Sequence, residues 1–147
     1  MTSINKDFNM NIRLKGTYCD ENVNTYIYVG LHKDLEKNQR LSFKDKFISP
    51  DIFQWESENY TTISNSMGIK LQNTKNVYLF VRKVKEEDNI ISPFTYFGKG
   101  HFTNMRESYT EENGEKFNTL LFDIKLDNEV PEEYHIDFEI PKKVDEE

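Results

Sequence analysis

Residues Val77–Val84 read VYLFVRKV, a run of β-branched and aromatic side chains that ends in charge. Such side chains fit the pleated surface of a sheet better than the wall of a helix, so the run is a strand. Glu86-Glu87-Asp88-Asn89 closes it with turn chemistry. The same pattern extends in both directions. Upstream, Ile12–Tyr18 (IRLKGTY) alternates and Thr25–Leu31 (TYIYVGL) is again β-branched and aromatic, with Asp20-Glu21-Asn22 turning between them. Downstream, Phe94–Phe102 (FTYFGKGHF) is an aromatic strand in which Gly98 and Gly100 predict a bulge or a close backbone approach. Phe117–Leu126 is a long strand behind the tight-turn pair Asn113-Gly114, and Tyr134–Ile140 a weaker one.

Helix signals are few. His32–Arg40 is polar and suits a loop or a frayed helical turn. Ser49-Pro50-Asp51 has the chemistry of a helix start: a capping serine, proline at the first helical position, then an acid favoured by the dipole. It predicts one short helical turn carrying Phe53 and Trp55. Several strands with almost no amphipathic helix define a mainly β (α+β) fold. The expected form is a single domain, a curled sheet or partly open β-barrel with one or two short helices. The β-rich domain is expected over residues 12–140, after an N-terminal segment 1–11 and before an acidic tail 141–147.

The chain has 147 residues, the length of one ordinary domain. Hydrophobic residues make up only 36%, but 11 Phe and 8 Tyr are among them, so the core must be built from a few large rings. Each ring buries roughly 150–250 Å². No apolar run approaches the roughly 18 residues of a membrane helix. Met1–Met10 lacks the apolar centre of a secretion signal. Cys19 is the single cysteine, so neither a disulfide framework nor a multi-cysteine metal site is expected. These features predict a cytoplasmic chain with no membrane partner.

Net charge is −7, which argues against a general polyanion binder. The charge is uneven. Glu111–Glu147 holds 13 acidic and 4 basic residues, a balance of −9, leaving 13 acidic and 15 basic residues, +2, in residues 1–110. A nucleic-acid face is expected in that first part. The plainer reading is a solvated acidic tail beside an ordinary mixed surface.

Catalytic signatures are missing: there is no Gly-x-Ser-x-Gly elbow, Walker loop or His-Glu-x-x-His helix. Asp123-Ile124-Lys125 could serve a metal-dependent nuclease, with the carboxylate on the metal and the lysine steadying water. It equally suits plain strand alternation, which Asp127 continues. His32, His101 and His135 are scattered without ligand spacing. A non-catalytic chain without metal or cofactor is expected.

The densest functional chemistry lies in Phe53-Gln54-Trp55-Glu56-Ser57-Glu58-Asn59-Tyr60, which holds the single Trp. Rings that stack and short polar groups that meet a base edge are what reading an extruded base requires, and a carboxylate can accept from a cytosine amino group. The competing reading makes Phe53 and Trp55 core anchors and the polar residues turn caps. By alternation Phe94, Tyr96 and Gly98 share one face of their strand and Thr95, Phe97 and Lys99 the other. One face must be core and the other could be an aromatic wall. The candidate base pocket is therefore Phe53, Trp55, Glu56, Ser57, Glu58, Asn59, Tyr60 and Tyr96. Candidate phosphate contacts are Lys70, Lys75, Arg82, Lys99, His101 and Arg106.

Two of these stretches carry a resemblance. Ser49–Asn59 resembles a Phe-x-Trp-x-Ser-x-Asn signature. Leu79-Phe80-Val81-Arg82 with Ser92-Pro93-Phe94 and Tyr96-Phe97-Gly98 resembles an "LFVR … PF-x-(Y/F)-(L/F)-G" pattern. Over Ile12–Phe138 the chain is similar to a bacterial C-terminal domain of unknown function that follows a superfamily II helicase and a phospholipase D-like nuclease. Some members of that architecture resemble modification-dependent restriction enzymes, in which this domain is similar to SRA/PUA-like readers of methylated cytosine. The resemblance implies a curled barrel that binds modified duplex DNA by base flipping in a restriction or defence context. The sequence departs from the pattern in having no helicase or nuclease of its own, so cleavage would need other domains or a partner. Its Asp20–Asn24 segment is also shorter than the helical insertion expected there. The alternative is a protein-interaction or DNA-mimic module, docking onto a helicase or nuclease through its acidic C-terminal third.

Overall fold

A computed structural model describes residues 16–19, 23–32, 44–84, 86–87, 90–91 and 93–143. Its main sheet has seven strands: β1 (Gly16–Cys19), β2 (Asn24–His32), β3 (Lys46–Ser49), β4 (Ile52–Glu56), β5 (Asn76–Val84), β8 (Thr95–Glu112) and β9 (Glu115–Leu126). They run in the order β1-β2-β5-β8-β9-β4-β3. Two-residue strands β6 (Glu86–Glu87) and β7 (Ile90–Ile91) form a separate hairpin. Among the described residues only β2 and β5 pair in parallel, because β3, β4 and helix α1 (Ser66–Gln72) form the crossover between them. The 18-residue β8 pairs first with β5 and then with β9, and this change of partner curls the sheet into a half-barrel.

Alternation decides the two faces. Ile27 and Val29 of β2, Val77, Leu79 and Val81 of β5, and Leu120, Phe122, Ile124 and Leu126 of β9 all point to one side and are buried. Phe47, Phe53 and Trp55 complete that side, while Leu71 of α1 and the C-terminal Val130, Phe138 and Ile140 pack against it. The hairpin β8–β9 turns at Asn113-Gly114, whose φ values of 52° and 84° suit the tight turn expected there. Both glycines of the aromatic strand are explained. Gly98, at φ 108°, forms a bulge against Leu79 and Phe80. At Gly100 a Cβ would stand 2.3 Å from the Lys125 carbonyl oxygen, so β9 approaches there as only glycine permits.

Three expectations are corrected. Ser49-Pro50-Asp51 is a hairpin turn between β3 and β4, not a helix start. The Ser49 hydroxyl does bond the Asp51 carboxylate, at 2.8 Å, but Ile52–Glu56 is drawn into pairing with β9. Asp-and-Ser turn chemistry is shared by helix caps and tight turns. The α-helix lies instead at Ser66–Gln72, capped by Asn65, whose side chain accepts from the Gly68 amide at 3.0 Å. Tyr134–Ile140 is not a strand: after the 3-10 turn Glu132–Tyr134, the Phe138 amide bonds the Tyr134 carbonyl at 3.1 Å. Tyr134 and Phe138 stand four residues apart, a helical rather than an alternating spacing. Glu86-Glu87, expected to open a turn, pair with Ile90-Ile91 as strand β6. The rest of that expected turn, 88–89, the expected turn at 20–22, the polar stretch 33–40 and segment 1–11 lie outside the described residues. Among the described residues no helix is long and apolar enough to cross a membrane.

Candidate functional site

The Trp55 segment divides between the two faces. Phe53 sits opposite Ile124 and Trp55 opposite Phe122, so both share the core side of β9. Phe53 is fully buried and Trp55 is 4% exposed, stacked on Phe102 at 5.8 Å and Phe122 at 6.0 Å. The expectation that these rings wall a base pocket is corrected: register with β9 commits them to the core. Glu56, on the opposite face, is buried as well. Its Oε2 accepts from Thr110 Oγ1 at 2.6 Å, Thr119 Oγ1 at 2.8 Å and Lys44 Nζ at 3.3 Å. Ser57 Oγ accepts from the Leu120 amide at 2.8 Å. Glu56 and Ser57 thus tie β4 to the β8–β9 hairpin. Glu58 and Tyr60 are exposed and Asn59 half-buried in the turn that follows, with the Phe117 ring edge-on to Tyr60 at 5.0 Å. Tyr96 lies apart, on the β5 side of β8.

A second group of rings occupies the face of β2, β5 and β8 turned away from the core. Register places Tyr26 opposite Tyr78, and Tyr28 opposite Phe80. The rings stack at 5.0 Å and 4.4 Å respectively, each pair at an interplanar angle of 14°. Phe80 faces Tyr96 across β5–β8, with centroids 4.9 Å apart. Phe94 meets Tyr28 edge-on at 5.2 Å, and the Arg82 guanidinium lies 4.4 Å from the Phe94 centroid.

The bulge at Gly98 alters what simple alternation predicts. Gly98 pairs with Leu79 and turns to the core side, while Lys99 pairs with Tyr78 and joins Tyr96 on the outer face. The ring of Phe97 instead packs on Phe47, Tyr134 and Phe138. One inserted residue reverses the parity of the strand beyond it. Asp127 stands at the rim of this face, its carboxylate 3.8 Å from Lys99 Nζ, both side chains about half exposed. Burial raises the Tyr96 hydroxyl pKa, and the nearby Tyr78 and Asp127 raise it further.

The expected phosphate contacts are less available than the sequence suggests. Arg106 donates to Gln54 Oε1 at 2.8 Å, Asp123 Oδ1 at 3.2 Å and the Asn104 carbonyl at 2.6 Å. Lys99 pairs with Asp127, and Arg82 is almost buried. Lys70, Lys75 and His101 are exposed, on α1, on the segment before β5 and on β8. Asp123 and Lys125 do not act on a common point: Asp123 pairs with Arg106, and Lys125 with Asp51. Among the described residues no group of His, Cys, Asp and Glu is placed to hold a metal ion.

A recess of about 570 Å³ lies at the C-terminal segment, lined by Glu132, His135, Ile136, Glu139, Ile140, Pro141 and Lys142. Ile136 at its rim is 90% exposed. Lys143, within the expected tail, bonds Glu129 at 2.7 Å and approaches Asp51 to 3.6 Å, so the start of that segment is docked to the body.

This architecture is a mainly β, curled half-barrel with one short α-helix among the described residues. The chain belongs to the family described as a domain of unknown function, DUF3427, whose profile matches residues 1–138. No curated protein matches it in sequence. Among solved structures it is similar to the DNA modification-dependent restriction endonuclease AspBHI, with a TM-score of 0.55 and 9% identity. That likeness, one of fold, covers 80% of this chain and 64% of the endonuclease chain. Of the outer ring row the sequence reading weighed Tyr96 and Phe94 for an aromatic wall but not Tyr26, Tyr28, Tyr78 or Phe80, and it gave Asp127 no site role. The signal for the rings was present: in VYLFVRKV the residues between Val77, Leu79 and Val81 are Tyr78 and Phe80.

Proposed function

We propose that the chain is a non-catalytic DNA-binding module that recognises a modified base, methylated cytosine foremost, in duplex DNA within a restriction or defence system. The observation that carries this reading is the outer face of β2, β5 and β8. It sets rings in register on three neighbouring strands, where Tyr28 and Arg82 are buried and Tyr96 and Lys99 are exposed. Base recognition combines π-surfaces with a few placed polar groups, and rings serve it because every base has a π-face. The shared fold with a restriction endonuclease named for its dependence on DNA modification supports the same direction. A fold alone does not set a function, so the weight rests on the face.

The remaining parts follow. Of the expected phosphate contacts Lys70, Lys75 and His101 are exposed, while Lys99 and Arg106 would exchange a carboxylate partner for a phosphate. With a net charge of −7, affinity for unmodified duplex should be weak. Cleavage falls to other domains or to a helicase or nuclease partner. A binding titration with duplexes carrying 5-methylcytosine, 5-hydroxymethylcytosine or plain cytosine at moderate salt tests the reading. Preference for a modified duplex supports it, and equal or absent binding to all three counts against it.

One observation favours a second reading, a protein-docking module. Ile136 is exposed beside the C-terminal recess, and Glu132 and Glu139 line that recess. A basic, partly apolar segment of a helicase or nuclease partner is the complementary surface. Loss of partner binding on Ile136→Asp, with DNA binding intact, would assign the two activities to separate surfaces.

A further inference from the structure

Resting on the reader reading, we infer that Tyr96, Lys99 and Asp127 form the seat of a single extruded base, one bearing an exocyclic amino group. Two rungs of the outer face lead to this corner. In one, Tyr28, Phe80 and Tyr96 follow each other across β2, β5 and β8, with centroid spacings of 4.4 Å and 4.9 Å. In the next, Tyr26 and Tyr78 lead to Lys99 and from there to Asp127.

The row stops at Tyr96 for a topological reason. Pairing of β9 with β8 ends at Gly100 opposite Leu126, with one further bond from the Asp127 amide to the Lys99 carbonyl at 2.8 Å. At the level of Tyr96, β8 therefore has β5 on one side and no β9 residue on the other. The ring is 49% exposed although one side packs on Phe80, the two planes tilted by 34°. A flat aromatic ligand placed on the remaining side continues the row.

The adjacent rung supplies the polar edge. The separation of 3.8 Å between Lys99 Nζ and Asp127 Oδ2 is an ion pair too long for a hydrogen bond, so each group keeps bonding capacity. Asp127 is an acceptor and suits an amino group; it repels a carbonyl at the same place. Lys99 is a donor for a ring carbonyl or for the phosphate of the extruded nucleotide. A cytosine offers this combination, and a thymine, with a carbonyl in place of the amino group, does not. The seat also predicts that extrusion itself limits affinity, since unpairing and unstacking oppose it and a missing partner base removes part of that cost.

The test uses the full chain and four duplexes: one 5-methylcytosine paired with guanine, the same base opposite an abasic site, thymine opposite an abasic site, and plain cytosine paired with guanine. Wild type should bind the methylcytosine–abasic duplex about tenfold or more tighter than the paired one, and tighter than the thymine–abasic duplex. Tyr96→Ala should weaken methylcytosine binding about tenfold or more, while Tyr96→Phe, which keeps the ring, retains it. Asp127→Ala should remove the preference for methylcytosine over thymine. Circular dichroism and thermal melting show whether each variant is folded, and the half-exposed side chains make folding the expected result. If wild type prefers methylated DNA yet folded Tyr96→Ala and Asp127→Ala bind as wild type does, this seat is wrong and the reader reading stands. If wild type shows no preference for methylated DNA, both fall.

Discussion

Trp55 stacks on Phe102 with their ring planes 14° apart, on the core side of the sheet. The indole therefore holds β4 against β8 and β9. Trp55→Ala should lower unfolding free energy by about 3–5 kcal/mol, the usual range for removing a large buried ring. The measurement is urea denaturation. A DNA titration on the folded fraction should find affinity unchanged. A loss of modified-DNA binding at unchanged stability would place the indole in a ligand site after all.

The carboxylate of Glu56 is the hub of a second internal contact, taking hydrogen bonds from Thr110, Thr119 and Lys44. Glu56→Ala takes one acceptor from two buried hydroxyls and from Lys44, which still donates to Ser108 and to the Tyr109 carbonyl, and should cost about 1–3 kcal/mol. Glu56→Gln keeps one acceptor and should cost less. Equal stability of both variants and wild type in denaturant would show that the network contributes nothing.

Asp51 sets an acid limit on stability. Burial pushes its carboxyl pKa up, but hydrogen bonds from Lys125 and Ser49 and the charges of Lys125 and Lys143 outweigh that, leaving it below its ordinary 3.8. A carboxyl with a lowered folded-state pKa binds fewer protons than in the unfolded chain, so stability rises with pH across that interval. Its contribution is complete above 3.8 and is lost as pH falls through the lower folded value. Asp51→Asn should flatten this part of the acid limb in melting temperatures followed from pH 5 to pH 2. An identical limb in the variant would contradict the assignment.

A phosphate-contact set limited to the expected residues that are exposed predicts a shallow salt dependence. With Lys70, Lys75 and His101 as the exposed candidates, the slope of log K against log salt should lie between about −2 and −4. Lys70→Ala and Lys75→Ala should each reduce it by about one. A slope near −8 would demand a basic surface elsewhere.

Much of the fold was legible because alternation and ring content are strong signals in a sheet. Val77–Val84 and Phe117–Leu126 fall within strands, as does Phe94–Phe102 apart from its first residue, and Asn113-Gly114 turns where its chemistry says. Ser49-Pro50-Asp51 misled because caps and tight turns use the same side-chain bonds, and only pairing with β9 decides between them. Helix α1 is seven residues with a glycine inside, too short for periodicity to reveal, though Asn65 marks its start. The candidate site was legible only in part. Tyr96, Arg82 and Lys99 do share a face, but the parity that unites Tyr96 with Lys99 depends on a one-residue bulge at Gly98. The role of Trp55 could not be read locally, since strand partners far along the chain determine which side of β4 is core.

Selectivity in direct competition is the sharpest test of modified-base recognition. A labelled 5-methylcytosine duplex is bound to the chain and challenged with unlabelled duplex of the same sequence, methylated or plain. The account predicts that methylated competitor displaces the label at near-equal concentration while plain competitor needs about tenfold more or fails. Displacement by both at the same concentration would contradict it.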